Sequence, residues 1–113
     1  MIIGDTTTAG LHAALRGLDA RRAAHEQNIA NIETPGYKAQ SVQFESALRR
    51  AIAADEPLRA GHSVETSHAA GRANGNNVNV SREMVALTET ALTQELLIRA
   101  MNDKFGLIRT AVS

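Results

Sequence analysis

His62 and His68, with Asp55 and Glu56 a few residues upstream, are the side chains best suited to metal binding or proton transfer, and their spacing argues against both. A helix-borne metal pair places two imidazoles on one face three or four residues apart, whereas these two are six apart in an aperiodic stretch without a carboxylate cluster. Asp55 and Glu56 are adjacent on a segment closed by Pro57, where no apolar pocket separates their pKa values into an acid and a base. No Ser-His-Asp grouping has local context, no glycine-rich phosphate loop follows a strand, and the basic residues are scattered without interleaved aromatics. The sequence therefore predicts no catalytic residue, no cofactor and no metal site.

The chemistry it does specify is hydrogen bonding at a chain reversal. In Asn28-Ile29-Ala30-Asn31-Ile32-Glu33-Thr34-Pro35-Gly36-Tyr37-Lys38 a long helical pattern is stopped and turned. Pro35 removes a backbone donor and pushes Thr34 out of the helical region, so the helix should end at or just before Thr34. Pro-Gly fits the central positions of a type II turn. Asn28 and Asn31 share a helix face, where their amides could tie down the last free carbonyls or a neighbouring chain. Tyr37 can lie back on the helix end with its hydroxyl paired, and Lys38 sits near the negative end of the helix dipole.

Two helices must present this turn. Thr6, Thr7 and Thr8 offer hydroxyl caps to the first, whose seam reads Leu11, Leu15, Leu18, Arg22, His25, Ile29 and Ile32, alternately four and three apart. Arg22 and His25 at seam positions are expected to lie along a narrow interface with their polar tips at its edge, or to fix register or partner choice. After the turn, Gln40 to Gln43 reads as extended and Phe44 to Ala54 as a short helix ended by Asp55-Glu56-Pro57. From there to Asn79 the Gly, Ala, Ser, His and Asn content is that of a flexible connection. Asn79 or Ser81 then caps a second long helix with the seam Met84, Leu87, Ala91, Gln94, Ile98, Met101, Phe105 and Ile108. The expected fold is all-α: two long N- and C-terminal helices packed as a coiled-coil-like hairpin, with a Pro-Gly turn, a short middle helix and a flexible linker. Residues 1–54 carry the first helix, turn and short helix, residues 55–79 the linker, and residues 80–113 the last helix, within one structural domain.

Composition narrows the partners. With 113 residues, 3% aromatics and no Trp, the chain can bury only a modest core, and a thin helical object is expected over a globule with a deep pocket. A net charge of +0 gives no electrostatic footprint for nucleic acid or an anionic membrane. Met1-Ile2-Ile3-Gly4-Asp5-Thr6 has no basic segment followed by a long apolar run, so any export is expected without a cleaved signal peptide.

The Asn-Ile-Ala-Asn string running into Thr-Pro-Gly-Tyr-Lys resembles the N-terminal signature of bacterial flagellar rod, hook and hook-associated proteins. The segment Gly75-Asn76-Asn77-Val78-Asn79-Val80-Ser81-Arg82-Glu83-Met84-Val85-Ala86-Leu87-Thr88-Glu89-Thr90, with the terminal Lys104-Phe105-Gly106-Leu107-Ile108-Arg109-Thr110-Ala111, is similar to the C-terminus of the proximal-rod proteins among them. Ser81 and Gln43 stand where acidic residues are common in the family. The resemblance implies a structural subunit of the basal-body rod with a D0-like helical domain, secreted through the flagellar type III export apparatus, polymerising helically to transmit torque and line the export channel. Its implied neighbours are other copies, other rod subunits and the membrane-ring and export-gate adaptor protein, with no catalysis and no nucleic acid. A soluble helical-hairpin adaptor is the alternative: it should be a discrete folded monomer or dimer, where a rod subunit should be poorly helical alone or form elongated polymers.

Overall fold

The computed structural model describes residues 5–112, without the side chains of Asp5, Thr6, Ile108 and Val112. The seam position Ile108, as a side chain, and the N-terminal residues 1–4 read for an export signal thus lie outside the described residues. The fold is elongated, 63 × 26 × 14 Å. Helix α1 spans Asp5–Ala30, strand β1 Gln40–Gln43, helix α2 Glu45–Ala53, strand β2 Ser63–Thr66 and helix α3 Val80–Val112, with a 3₁₀ turn at Pro57–Arg59. Among the described residues, no helix is long and apolar enough to cross a membrane.

The two long helices lie side by side and antiparallel: Asn28 meets Glu83 near one end of the contact, and Asp19 meets Gln94 further along it. The helical hairpin is therefore present, but the fold is not all-α. Strands β1 and β2 pair antiparallel, Gln40 with Thr66 through Gln43 with Ser63. The stretch read as a flexible linker thus contributes a 3₁₀ turn and a strand. Its Asn and Ser residues exchange with the backbone the hydrogen bonds that apolar periodicity does not supply. Helix α1 already includes Thr6, Thr7 and Thr8 in its first turns instead of using them as caps.

The core is small. Leu18, Ala24, Val42 and Phe44 form it, with Ala14, Ala20, Leu48 and Leu97 packed around. Phe44, just ahead of α2, lays its ring on the α1 backbone at Gly17, where an added Cβ would stand 2.4 Å from a ring carbon. Arg21, one turn further along α1, holds its guanidinium 4.7 Å from the ring centroid. It also donates to both oxygens of Glu45, each at 2.7 Å, and to the Val42 carbonyl. That pairing keeps the Glu45 carboxyl down at about 2. Helix α2 ends in a Schellman motif, with the Glu56 N–H on the Ala51 carbonyl, the Asp55 N–H on the Ile52 carbonyl, and Asp55 in the left-handed seat at φ 58°. Asp55-Glu56 is a helix terminator.

The phase of α3 departs from the heptad read off its apolar residues. Toward α1 it turns Glu83, Thr90, Gln94 and Met101, all buried, with Leu87 and Leu97 half-buried between them. Met84, Ala91, Ile98 and Phe105, one residue after Glu83, Thr90, Leu97 and Lys104, lie on the open flank. The apposed side of α1 sets this phase. Arg22, His25 and Asn28 present polar atoms there, which require polar partners once removed from water.

Candidate functional site

The chain reversal is the most densely bonded region of the molecule. Helix α1 tightens before it stops, the Asn31 N–H reaching both the Gln27 and Asn28 carbonyls and the Ile32 N–H the Ile29 carbonyl, so regular helix ends at Ala30, four residues before Thr34. The Thr34 carbonyl then accepts from the Tyr37 N–H at 3.2 Å, and Gly36 holds φ at +75°, which is the type II turn expected for Pro35-Gly36.

Asn28 is the centre. Its side chain is wholly buried and uses its full bonding capacity. Its amide oxygen accepts from the Gln40 N–H at 3.0 Å and from the Tyr37 hydroxyl at 3.2 Å. Its Nδ2 donates to the Gln40 carbonyl at 2.8 Å and to Glu83 Oε1 at 2.6 Å. The amide so pairs with both backbone groups of Gln40 as a neighbouring strand would, and closes that edge of β1. The same Glu83 oxygen lies 2.8 Å from His25 Nδ1. Burial, and then the Glu83 charge, push the Tyr37 phenol above its ordinary pKa. One connected set of side chains thereby joins α1, the turn, β1 and the first turn of α3.

Asn76 does for the end of α1 what was expected of Asn28 and Asn31. Fully buried, it donates through Nδ2 to the carbonyls of Asn31 and Thr34, each at 2.8 Å, and accepts the Val78 N–H. Arg72 adds a bond to the Ile32 carbonyl, and the Lys38 ammonium reaches the Gly75 carbonyl. Asn77 accepts the Ala39 N–H and donates to the Ser67 and Ala69 carbonyls. Gly75, at φ +85°, stands so close to the turn that an added Cβ would meet the Gly36 Cα at 3.3 Å. Asn79 caps α3 by accepting the Arg82 N–H at 3.0 Å. Asn31 bonds within its own segment, to the Gln27 carbonyl and the Thr34 hydroxyl.

The motif residues Asn28, Asn31, Thr34, Gly36, Tyr37 and Lys38 are thus gathered at one end of the hairpin, with Ile29 half-buried and Ala30 and Pro35 exposed. Of the expected seam, Leu18 and Met101 are buried and Leu11, Leu15, Ile29, Ile32 and Leu87 half-buried. Arg22 and Gln94 meet across the helices, and Asp19 completes the bridge at 2.6 Å from Gln94. Reasoning from the sequence missed Asn76, Asn77 and Glu83. The signal available was the run Asn76-Asn77-Val78-Asn79 placed just ahead of a helix, where short amides serve as caps and backbone surrogates. The arrangement is a polar clasp in which the buried amides of Asn28 and Asn76 tie the end of α1 to β1 and to the segment ahead of α3.

No family model matches the chain. Curated relatives do match, and they carry one name. The flagellar basal body rod protein FlgB of Bacillus subtilis is 29% identical over 120 residues, covering 95% of this chain and 93% of its own length. The protein of that name from Cereibacter sphaeroides is 27% identical, over 91% of both chains. That of Borreliella burgdorferi is 28% identical over 76% of this chain and 80% of its own. Relatives from three bacteria thus agree on one name, and this chain is similar over most of its length to the flagellar basal body rod proteins named FlgB.

Proposed function

We propose that the chain is a structural subunit of the proximal rod of the bacterial flagellar basal body, polymerising helically so that its paired long helices carry torque and surround the export channel. The observation that carries the reading is the set of relatives from different bacteria that bear the name of a basal body rod protein and match over most of the chain. The molecule's physics agrees. Its inter-helix seam mixes buried polar Glu83, Thr90 and Gln94 with Met101, while Met84, Ile98 and Phe105, between 43% and 53% exposed, leave an apolar flank of α3 for other subunits to cover. The partners that follow are other copies, other rod subunits, the membrane-ring and export-gate adaptor, and the type III export apparatus.

The motif serves this role as a rigid corner. Asn28, Asn76 and the Gly36–Gly75 contact fix the angle at which the two helices leave the turn, and a polymer that transmits torque needs that angle to be the same in every subunit. Deleting the gene should abolish motility and rods, and basal bodies isolated from complemented cells should contain the chain. Motile cells lacking the chain, or basal bodies without it, would refute the proposal.

A further inference from the structure

We infer that the pair Asn74-Gly75 is a site of spontaneous covalent modification, at which Asn74 loses its amide as ammonia through a succinimide when the turn is open, and that the closed clasp protects it. Asn74 is the only Asn of the sequence followed by Gly. It is exposed, on the loop that delivers the buried Asn76 to the end of α1.

The chemistry needs only water. With its proton removed to solvent hydroxide, the Gly75 backbone nitrogen attacks Asn74 Cγ. The N–Cγ bond forms, the Cγ–Nδ2 bond breaks, and ammonia leaves with a proton taken from water. Water then opens the five-membered ring at one of its two carbonyls. Opening at Cγ leaves an ordinary aspartate, and opening at the main-chain carbonyl leaves an isoaspartate, whose chain runs on through Cβ and Cγ. Nothing is oxidised or reduced: water enters, ammonia departs, and a neutral amide becomes a carboxylate. Glycine makes the nitrogen reachable, since no Cβ stands beside it and its φ is free to swing.

In the folded chain the reacting groups are engaged elsewhere. Ala73 and Asn74 are the central residues of a turn closed by the Gly75 N–H on the Arg72 carbonyl at 2.8 Å. That carbonyl disfavours loss of the Gly75 proton, because the amide anion so formed would face its negative oxygen. Asn74 Oδ1 accepts the Asn76 N–H at 3.1 Å, and the Asn74 carbonyl accepts the Gly36 N–H at 2.8 Å. The Arg72 N–H bonds the Asn76 carbonyl at 2.8 Å, and the Lys38 ammonium reaches the Gly75 carbonyl. Bringing the nitrogen onto Cγ breaks this turn, so the reaction runs through local or global opening.

The two products differ in their effect on the corner. An isoaspartyl link adds a backbone carbon between Asn74 and Gly75, at the point where Gly75 lies against Gly36. Asn76 then loses its register with the carbonyls of Asn31 and Thr34, which it now bonds at 2.8 Å each. An ordinary aspartate keeps the backbone and the acceptor for the Asn76 N–H. A chain kept unfolded thus accumulates a mark that releases the clasp, and a chain that has closed the turn does not.

Peptide-map mass spectrometry of the full chain, incubated at mildly alkaline pH in buffer and in urea, tests this. Conversion at Asn74 should be at least about tenfold slower in buffer, where only the opened turn reacts. Asn76→Ala, which unlatches the clasp and leaves the Asn-Gly pair untouched, should convert faster than wild type in buffer and at the same rate in urea. Gly75→Ala should slow conversion in urea, where the fold plays no part. Protein converted in urea and refolded should melt below Asn74→Asp in proportion to its isoaspartate content, read by enzymatic methylation. Equal rates in buffer and urea, or for wild type and Asn76→Ala in buffer, would overturn the protection. Conversion at another Asn ahead of Asn74 would overturn the site. Isoaspartyl chains that melt together with Asn74→Asp would overturn the effect on the clasp.

Discussion

Replacing Asn28 with Ala should be among the most damaging single changes available to this chain. The amide is wholly buried and makes four hydrogen bonds, two of them to the N–H and carbonyl of Gln40. Alanine leaves both backbone groups facing α1 without a partner, and at about 1–3 kcal/mol for each buried polar group so stranded the loss is about 2–6 kcal/mol. The Tyr37 hydroxyl loses its acceptor as well, while Glu83 keeps His25. A domain of this size has roughly 5–15 kcal/mol of stability in all, so the change should remove a large share of it. Asn28→Asp should do no better, because it keeps an acceptor for the Gln40 N–H, loses both donors and sets a second carboxylate against Glu83. Asn31→Ala is the control: its amide bonds only within its own segment, and it should cost less than about 1 kcal/mol. Urea unfolding followed by the fluorescence of Tyr37, the only Tyr in a chain without Trp, reports on the site directly. Equal destabilisation by Asn28→Ala and Asn31→Ala would refute the reasoning that the clasp is the organising element.

Gly36→Ala should cost about 1 kcal/mol from its positive φ alone, since nothing lies within 4 Å of the added carbon, while Gly75→Ala adds a close contact with Gly36 and should lower the melting temperature further. Gly17→Ala should destabilise by about 1–3 kcal/mol because its Cβ would overlap the Phe44 ring, and Gly17→Ala with Phe44→Leu should recover part of the loss in a double-mutant cycle. Glu45, held at about 2 from an ordinary 4.5, contributes stability that is complete above pH 4.5 and is lost as the pH falls toward 2. Glu45→Gln should therefore flatten the urea midpoint against pH in that window relative to wild type.

Features governed by backbone chemistry were legible in the sequence. Pro35-Gly36 announced the reversal, Asn79 the start of α3, Asp55-Glu56-Pro57 the end of α2, and Gln40 to Gln43 the extended segment. What escaped was decided by pairing across distance. The phase of α3 was read from its apolar residues, but α1 presents His25, Arg22 and Asn28 at the contact, and their need for partners turns Glu83, Thr90 and Gln94 inward. The same holds for β2: four exposed residues with no apolar alternation leave no periodic trace, and the strand forms because β1 has an open edge. Asn76 carries no hydrophobic signal at all, and its role is visible only once the carbonyls of Asn31 and Thr34 are placed beside it.

Electron microscopy of isolated basal bodies tests the central claim most directly. The account predicts that density at the membrane-proximal end of the rod resolves a helical array of antiparallel helix pairs, into which α1, the Pro35-Gly36 turn and α3 fit with Asn28 and Asn76 at the corner. A rod without such subunits, with the chain recovered instead as a discrete soluble monomer or dimer, would contradict it and favour the adaptor.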